Sequence, residues 1–321
     1  MKFVGKLVCL VLLLVSCGEH FETVTLLPHT PVKDQGEWPA SWIYATLSLV
    51  ESERILAGDS LELSATYLIR QQAEYIFNPS MHDAGTQKPT EFTGSPWTCL
   101  RLMETKGILP YNVFCPKLAM SWSNYIVWAN RGDLQAVLDT GFAYVPRQTS
   151  LYGTLYSPLD LARSLYTEGY YEGFVFKPAS TLGAEPYDAE RFFWDDRPER
   201  YTNQPEHRIL PLIDETLAKG HTLVWMGDTA NAGYQSNNGV AEWEKQGNAY
   251  LPSRRDLYTH VTNSLHCLHV VGKAKGWQGL RRKTYYICKD SHGEVGPYKG
   301  FIYLSEDFLR HQTILLFRHK L

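Results

Sequence analysis

The stretch Val32 to Arg54, VKDQGEWPASWIYATLSLVESER, puts a hydroxyl side chain, Ser41, directly before Trp42 and six residues after Gln35 in a Lys-Asp-Gln-Gly turn. A serine at the head of a helix becomes a nucleophile only when a neighbouring base can take its proton. Otherwise it caps the helix. Candidate bases lie far along the chain in HCLHVVGKAKG, which holds His266 and His269, and a candidate orienting acid, Asp290, follows in KDSHG. Each also has a plain structural reading, His266 as a hydrogen-bonded strand residue and Asp290 as a turn acid. His260, His266, Cys267 and His269 can be drawn as metal ligands, but a spacing of three on a strand is not the helical histidine pairing of zinc proteases. The offset of three also sends His269 to the sheet face opposite His266, in a structural role. No CxxC pair is present, and no metal or other cofactor is expected.

These residues need elements to hold them. Apolar residues at Ile43, Leu47, Val50 and Ile55 recur at helical spacing, with Glu51, Glu53 and Arg54 expected on the wet side. A second helix is expected in SATYLIRQQAEYI with Ser64 as N-cap, and a third in WTCLRLMETKG with Pro96 near its first position and Gly107 as its stop. Gly94 either borders a groove or serves a plain helix-start turn. Further helices are expected over Gly132–Thr140, Pro158–Tyr166 and the run PLIDETLAKG that ends at Gly220. Between them, RFFWDDRPERYTNQPEHR reads as a polar surface excursion. From His266 onward, HCLHVVGKAKG, RRKTYYICKDS and KGFIYLSEDFL read as strands.

With 321 residues, 44% hydrophobic and 20% charged, the chain has material for one large domain or two lobes sharing a cleft. A formal charge of −3 without a basic stripe gives no case for nucleic acid as a partner. The 20 Tyr and 9 Trp suit cores and lobe interfaces, and only weakly suggest carbohydrate binding. Residues 1–16 carry Lys2 and Lys6 around a short apolar run and read as a secretory signal. Leu14-Val15-Ser16-Cys17 resembles a bacterial lipobox, which makes Cys17 the lipidated first residue of an exported lipoprotein anchored to the cell envelope, with the outer membrane as the expected site. Residues 17–31 are then a tether and 32–321 the folded domain. Export permits disulfides, a Cys99–Cys115 bridge among them, although buried free thiols are the expected state of most cysteines.

The helix-opening segment resembles the start of a papain-like cysteine peptidase, where a Gln-Gly turn precedes a nucleophile and a Trp on the first turn of a long buried helix. The phrases Leu63-Ser64…Tyr67-Leu68, Gly107-Ile108-Leu109-Pro110 and Trp225…Asp228 resemble the bleomycin-hydrolase-like branch, as does the short run of fewer than twenty residues between Cys17 and Gln35, which leaves no room for an inhibitory propeptide. The resemblance implies an α+β, papain-like two-lobe fold, with a helical lobe carrying the nucleophile helix and a β-rich lobe carrying the His and the acid. It places the nucleophile at Ser41, the oxyanion donor at Gln35, the base at His266 six residues before Gly272, and the orienting residue at Asp290.

Three departures bear on activity. Ser41 stands where the family has a cysteine, and an alcohol cannot form the thiolate–imidazolium pair on which that chemistry relies. Asp290 replaces an asparagine, which turns the set into Ser-His-Asp, a hydrolase triad that recurs on unrelated folds. Around them, Glu37-Trp38-Pro39-Ala40 replaces small residues, with bulky Trp38 and rigid Pro39 standing where the backbone must present its oxyanion amide and admit substrate, and His292 replaces a Trp that shields the His–Asn bond. The expectation is a peptidase homologue impaired in catalysis that keeps a cleft for a peptide or protein ligand. The alternative is an active peptidase or esterase using Ser41, His266, Asp290 and Gln35.

Overall fold

A computed structural model describes residues 21–78, 91–118, 120–167, 169–177, 200–244, 265–278 and 281–321. The expected signal, Cys17 and His260 lie outside the described residues.

The described residues open with β1 (Glu22–Leu26), so part of the expected tether is a strand. Three helices follow, α1 (Ser41–Leu56), α2 (Ala65–Phe77) and α3 (Pro96–Lys106). Then come α4 (Trp122–Ala129), α5 (Leu134–Phe142), the small hairpin of β2 (Thr149–Leu151) and β3 (Thr154–Tyr156), and α6 (Pro158–Leu165). The rest alternates: β4 (Tyr171–Lys177), β5 (Tyr201–Pro205), α7 (Ile209–Ala218), β6 (Leu223–Asp228), β7 (Tyr234–Gln235) and β8 (Val240–Ala241). It ends with β9 (Leu265–Gln278), β10 (Arg281–Lys289), β11 (Phe301–Ser305), α8 (Glu306–Gln312) and β12 (Thr313–His319).

Ten described strands form one mixed sheet, ordered β5-β4-β12-β6-β9-β10-β11-β8-β7, with β1 added to the far half of β9. The alternation of side chains puts one face of this sheet against α1 and α3, where Val224, Met226, Cys267, Leu315 and Phe317 join the helical core. Their neighbours Trp225, Leu268, Val270 and Leu316 point the other way, to Ile213 of α7 and Phe308 of α8.

Local chemistry explains most of the helix ends. Ser64 Oγ accepts the Tyr67 amide, and Ser95 and Thr98 form a reciprocal capping box ahead of Pro96. Gly107 closes α3 at φ +85°, with the Pro158 backbone 2.3 Å from where a Cβ would stand, so no other residue fits there.

Several expectations are corrected. Glu51 is not on a wet face: α1 is buried from Ser41 through Ser52, and Glu51 has no exposed surface. Its carboxylate accepts from Lys33, the Leu63 amide and the Thr30 hydroxyl, which is what lets a charge sit inside. Of the expected surface excursion, residues 191–199 lie outside the described residues, and Tyr201–Pro205 instead pairs in parallel with β4, with Tyr201 buried. The tail of KGFIYLSEDFL is helical, because Ser305 caps the Phe308 amide and acids lead and bases end the short α8. Cys99 is buried, Cys115 is exposed, and neither is in a disulfide.

Candidate functional site

The turn before α1 is built to be rigid. Gly36 sits at φ +59° and its amide binds Asp34 Oδ1 at 2.8 Å. Asp34 bridges His292 across a short antiparallel contact, and the Gln35 amide reaches the Ser291 carbonyl at 2.7 Å. The segment that launches the helix is thereby sewn to the segment that carries Asp290.

Gln35 is held at both ends of its side chain. Its Oε1 accepts the Ser291 hydroxyl at 2.6 Å, and its Nε2 donates to the Trp38 carbonyl at 2.7 Å. One of its two amide hydrogens is therefore used to close its own turn.

Ser41 is the first residue of α1 and is buried. The N-cap is Ala40, which offers no side-chain bond, so Ser41 does not cap. Its Oγ instead accepts the Cys267 amide of β9 at 3.2 Å, and among the described residues no hydrogen bond joins it to His266. The same bond shows that β9 brings His266, the residue next to Cys267, alongside the head of α1.

His266 and Asp290 meet directly. His266 Nε2 lies 2.7 Å from Asp290 Oδ1, with the carboxylate 5% exposed. The Ser291 amide also binds Oδ1 at 2.7 Å, and His292 Nδ1 is 3.0 Å from Oδ2. Burial works to raise the Asp290 carboxyl, but its bonds to His266 and His292 outweigh that and hold it well below the usual carboxylate range. The bond to Asp290 raises His292 in turn. An ionised Asp290 accepts from both rings, so neutral His266 carries its proton on Nε2 and leaves Nδ1 as the basic nitrogen.

His292 is the residue that sequence reasoning undervalued. It stands in place of a shielding Trp, yet its ring stacks on His266 with centroids 5.2 Å apart and it adds a second bond to the same carboxylate. The Asp-Ser-His order was the available signal. Trp38 is a correction in the other direction. It is 2% exposed and packs with Phe92, Trp122, Tyr125 and Phe142, with its indole N–H on the Met120 carbonyl at 2.8 Å. Its bulk belongs to the helical core. Gly94 packs under the Trp42 indole, where an added Cβ would come within 2.8 Å of the ring. His269 is fully buried with Nε2 2.8 Å from Thr222 Oγ1, and burial holds its imidazole well below the ordinary value, in keeping with a structural role. Beside Asp290, a cavity of about 10 Å³ bordered by Tyr44, Ser48, Cys267 and Lys289 has room for about one water.

No protein-family model matches the chain, and no curated protein matches its sequence. Among solved structures it is similar to PepW from Lactobacillus rhamnosis HN001, with a TM-score of 0.66 at 14% identity over 93% of this chain and 82% of that one. SERA5E from Plasmodium falciparum superimposes with a TM-score of 0.46 at 15% identity, over 90% of this chain and 88% of that one. A structure from work on the mite allergens Blo t 1 and Der p 1 gives 0.43 at 15% identity, over 91% and 67%. At such identities the likeness is one of fold. The chain has the α+β, papain-like two-lobe peptidase fold.

Proposed function

We propose that the protein is a lipid-anchored homologue of the bleomycin-hydrolase-like peptidases that holds a peptide or protein ligand at the head of α1 and does not turn it over efficiently. The observation that carries this reading is the state of Ser41, a buried hydroxyl that accepts from the Cys267 amide and is not bonded to His266. A thiol in that place can ionise beside an imidazole. An alcohol must lose its proton during attack, which needs the base within hydrogen-bond reach at that moment, and here the hydroxyl is engaged by a backbone amide. The lipid on Cys17 and export to the cell envelope remain part of the proposal. Labelled fatty acid incorporated by the native chain and not by Cys17→Ser is the result expected for them.

A second reading is favoured by one specific feature, the His266–Asp290 pair with a second imidazole behind it. In a serine hydrolase of this layout, Ser41 Oγ attacks the carbonyl carbon while its proton passes to His266 Nδ1. Asp290 stabilises the imidazolium, and the second amide hydrogen of Gln35 is the donor to the developing oxyanion. His266 then returns the proton to the leaving group. Catalytic hydrogen bonds often tighten only with substrate bound.

Amide and ester hydrolysis by the full processed chain in mild detergent, beside Ser41→Ala and Ser41→Cys, separates the two. Turnover only in Ser41→Cys, with peptide bound by the native form, is the expected result. Native turnover that disappears in Ser41→Ala overturns the binding reading in favour of the hydrolase. If all three forms neither cleave nor bind peptide, both readings fail.

A further inference from the structure

At the other end of α1 a second group of side chains converges. Glu53 lies twelve residues beyond Ser41, about 18 Å along the helix axis. Its carboxylate meets His221, from the turn between α7 and β6, with Nδ1 3.0 Å from Oε1 and 2.9 Å from Oε2. His319, at the end of β12, approaches with Nδ1 4.0 Å from Oε2. One potential ligand atom from each of the three lies within 4.8 Å of the others. We propose that Glu53, His221 and His319 form a binding site for a divalent first-row transition metal of the zinc type, which clamps the nucleophile helix to the sheet.

Convergence is the first argument. The Glu53 side chain is only 11% exposed, and its described side-chain partners are the two imidazoles. The guanidinium of the neighbouring Arg54 is engaged by Asp59 at 2.7 Å. The His221 and His319 rings stack in parallel, with centroids 5.5 Å apart and 4° between planes, so three side chains from separate elements meet at one point. A dication held there takes the carboxylate as its counter-charge and both rings as neutral ligands.

The donor set is the second. Two imidazoles and one carboxylate suit zinc, nickel or copper better than calcium or magnesium, which want oxygen ligands. Three protein ligands with a water in the fourth place are a familiar arrangement for zinc. The histidine side chains are 26% and 27% exposed, which leaves a solvent approach for that water. His319 Nδ1 also lies 2.8 Å from the Lys320 carbonyl. Coordination through Nδ1, the atom that approaches Glu53, exchanges that contact for the metal and leaves the ring proton on Nε2. The ligands come from a helix, a turn and a strand that are already packed together, so the site is largely preformed.

The cluster at Asp290 does not compete on these grounds. There the carboxylate already accepts the Ser291 amide as well as two imidazoles, and it belongs to the site described above.

The test is titration of the metal-free full chain, without an affinity tag, with Co²⁺ and Zn²⁺. One equivalent of Co²⁺ should give visible absorption bands of a low-coordinate nitrogen–oxygen site, and Zn²⁺ should displace it and raise Tm by several degrees. Glu53→Gln, close in shape, and His319→Gln, at a half-exposed strand end, should each weaken binding tenfold or more while leaving the circular dichroism of the metal-free protein unchanged. A His266→Ala, His292→Ala double variant should bind as the parent does. No stoichiometric binding, equal binding by both single variants, or loss of binding in the double variant overturns the assignment. The readouts do not depend on turnover at Ser41.

Discussion

Replacing Glu51 by Gln tests how the buried charges beneath the candidate site are balanced. Glu51 accepts from Lys33 Nζ at 2.7 Å and from the Leu63 amide at 2.6 Å, as well as from the Thr30 hydroxyl. Lys289, directly before Asp290, sits one step further out, with Nζ 2.9 Å from the Thr30 carbonyl and 3.0 Å from its Oγ1. Glu51→Gln keeps the shape and removes the charge. Lys33 retains Glu62 at 3.2 Å, but Lys289 keeps only neutral oxygens. Breaking a buried pair in this way costs about 3–5 kcal/mol. With about 2.1 cal/mol/K of unfolding entropy per residue over roughly 300 residues, that lowers Tm by about 5–8 °C.

The same substitution carries a pH signature. Burial pulls the Lys289 ammonium from its ordinary 10.5 down to about 8, against an upward pull from Glu51. Between those two values the unfolded chain binds the extra proton, so stability rises with pH across that window. Removing Glu51 lets Lys289 shed its proton below pH 8. The deficit of Glu51→Gln should therefore be largest at the acid end of the range, pH 6.5, and smaller at pH 9.5, where Lys289 is neutral in both folded proteins. Urea unfolding midpoints at pH 6.5, 8 and 9.5 measure it. Parallel curves for the two proteins, or a Tm loss under about 2 °C, would refute the reasoning.

Three further outcomes are expected. The His292 imidazole should titrate above 6.5 by NMR and fall in Asp290→Asn; with His292 raised and Asp290 depressed, their pairing stabilises most between about pH 4 and 6.5, and a His292 resonance indifferent to Asp290→Asn contradicts this. Trp38→Ala should cost about 3–5 kcal/mol and weaken the near-ultraviolet circular dichroism, because it empties the centre of an aromatic cluster; a loss under 1 kcal/mol would show that Trp38 is not packed there. Of Cys99, Cys115, Cys267 and Cys288, only the exposed Cys115 should react with a thiol reagent in the folded protein, since burial pushes the other three thiols up. Early labelling of Cys267 would indicate that β9 is open beside Ser41.

What the sequence determined by itself was local. Ser64, Ser95 and Gly107 mark helix ends through bonds and backbone angles that depend on a few adjacent residues. The alternation in β9 was enough to separate His266 from the buried His269. The Gln35–Ser41 spacing and the His266 and Asp290 phrases pointed to one site, and the fold does bring His266 onto Asp290. The tertiary structure decided the rest, because each case turns on residues distant in the chain. Glu51 reads as solvent-facing until Lys33, Thr30 and Leu63 surround it. Trp38 reads as an obstruction until four rings from other segments enclose it. The hydroxyl of Ser41 could not be assigned a partner before β9 presented the Cys267 amide. Glu53 and His221 meet across 168 positions, a contact that no periodicity encodes and that only the packing of α1 on the sheet creates.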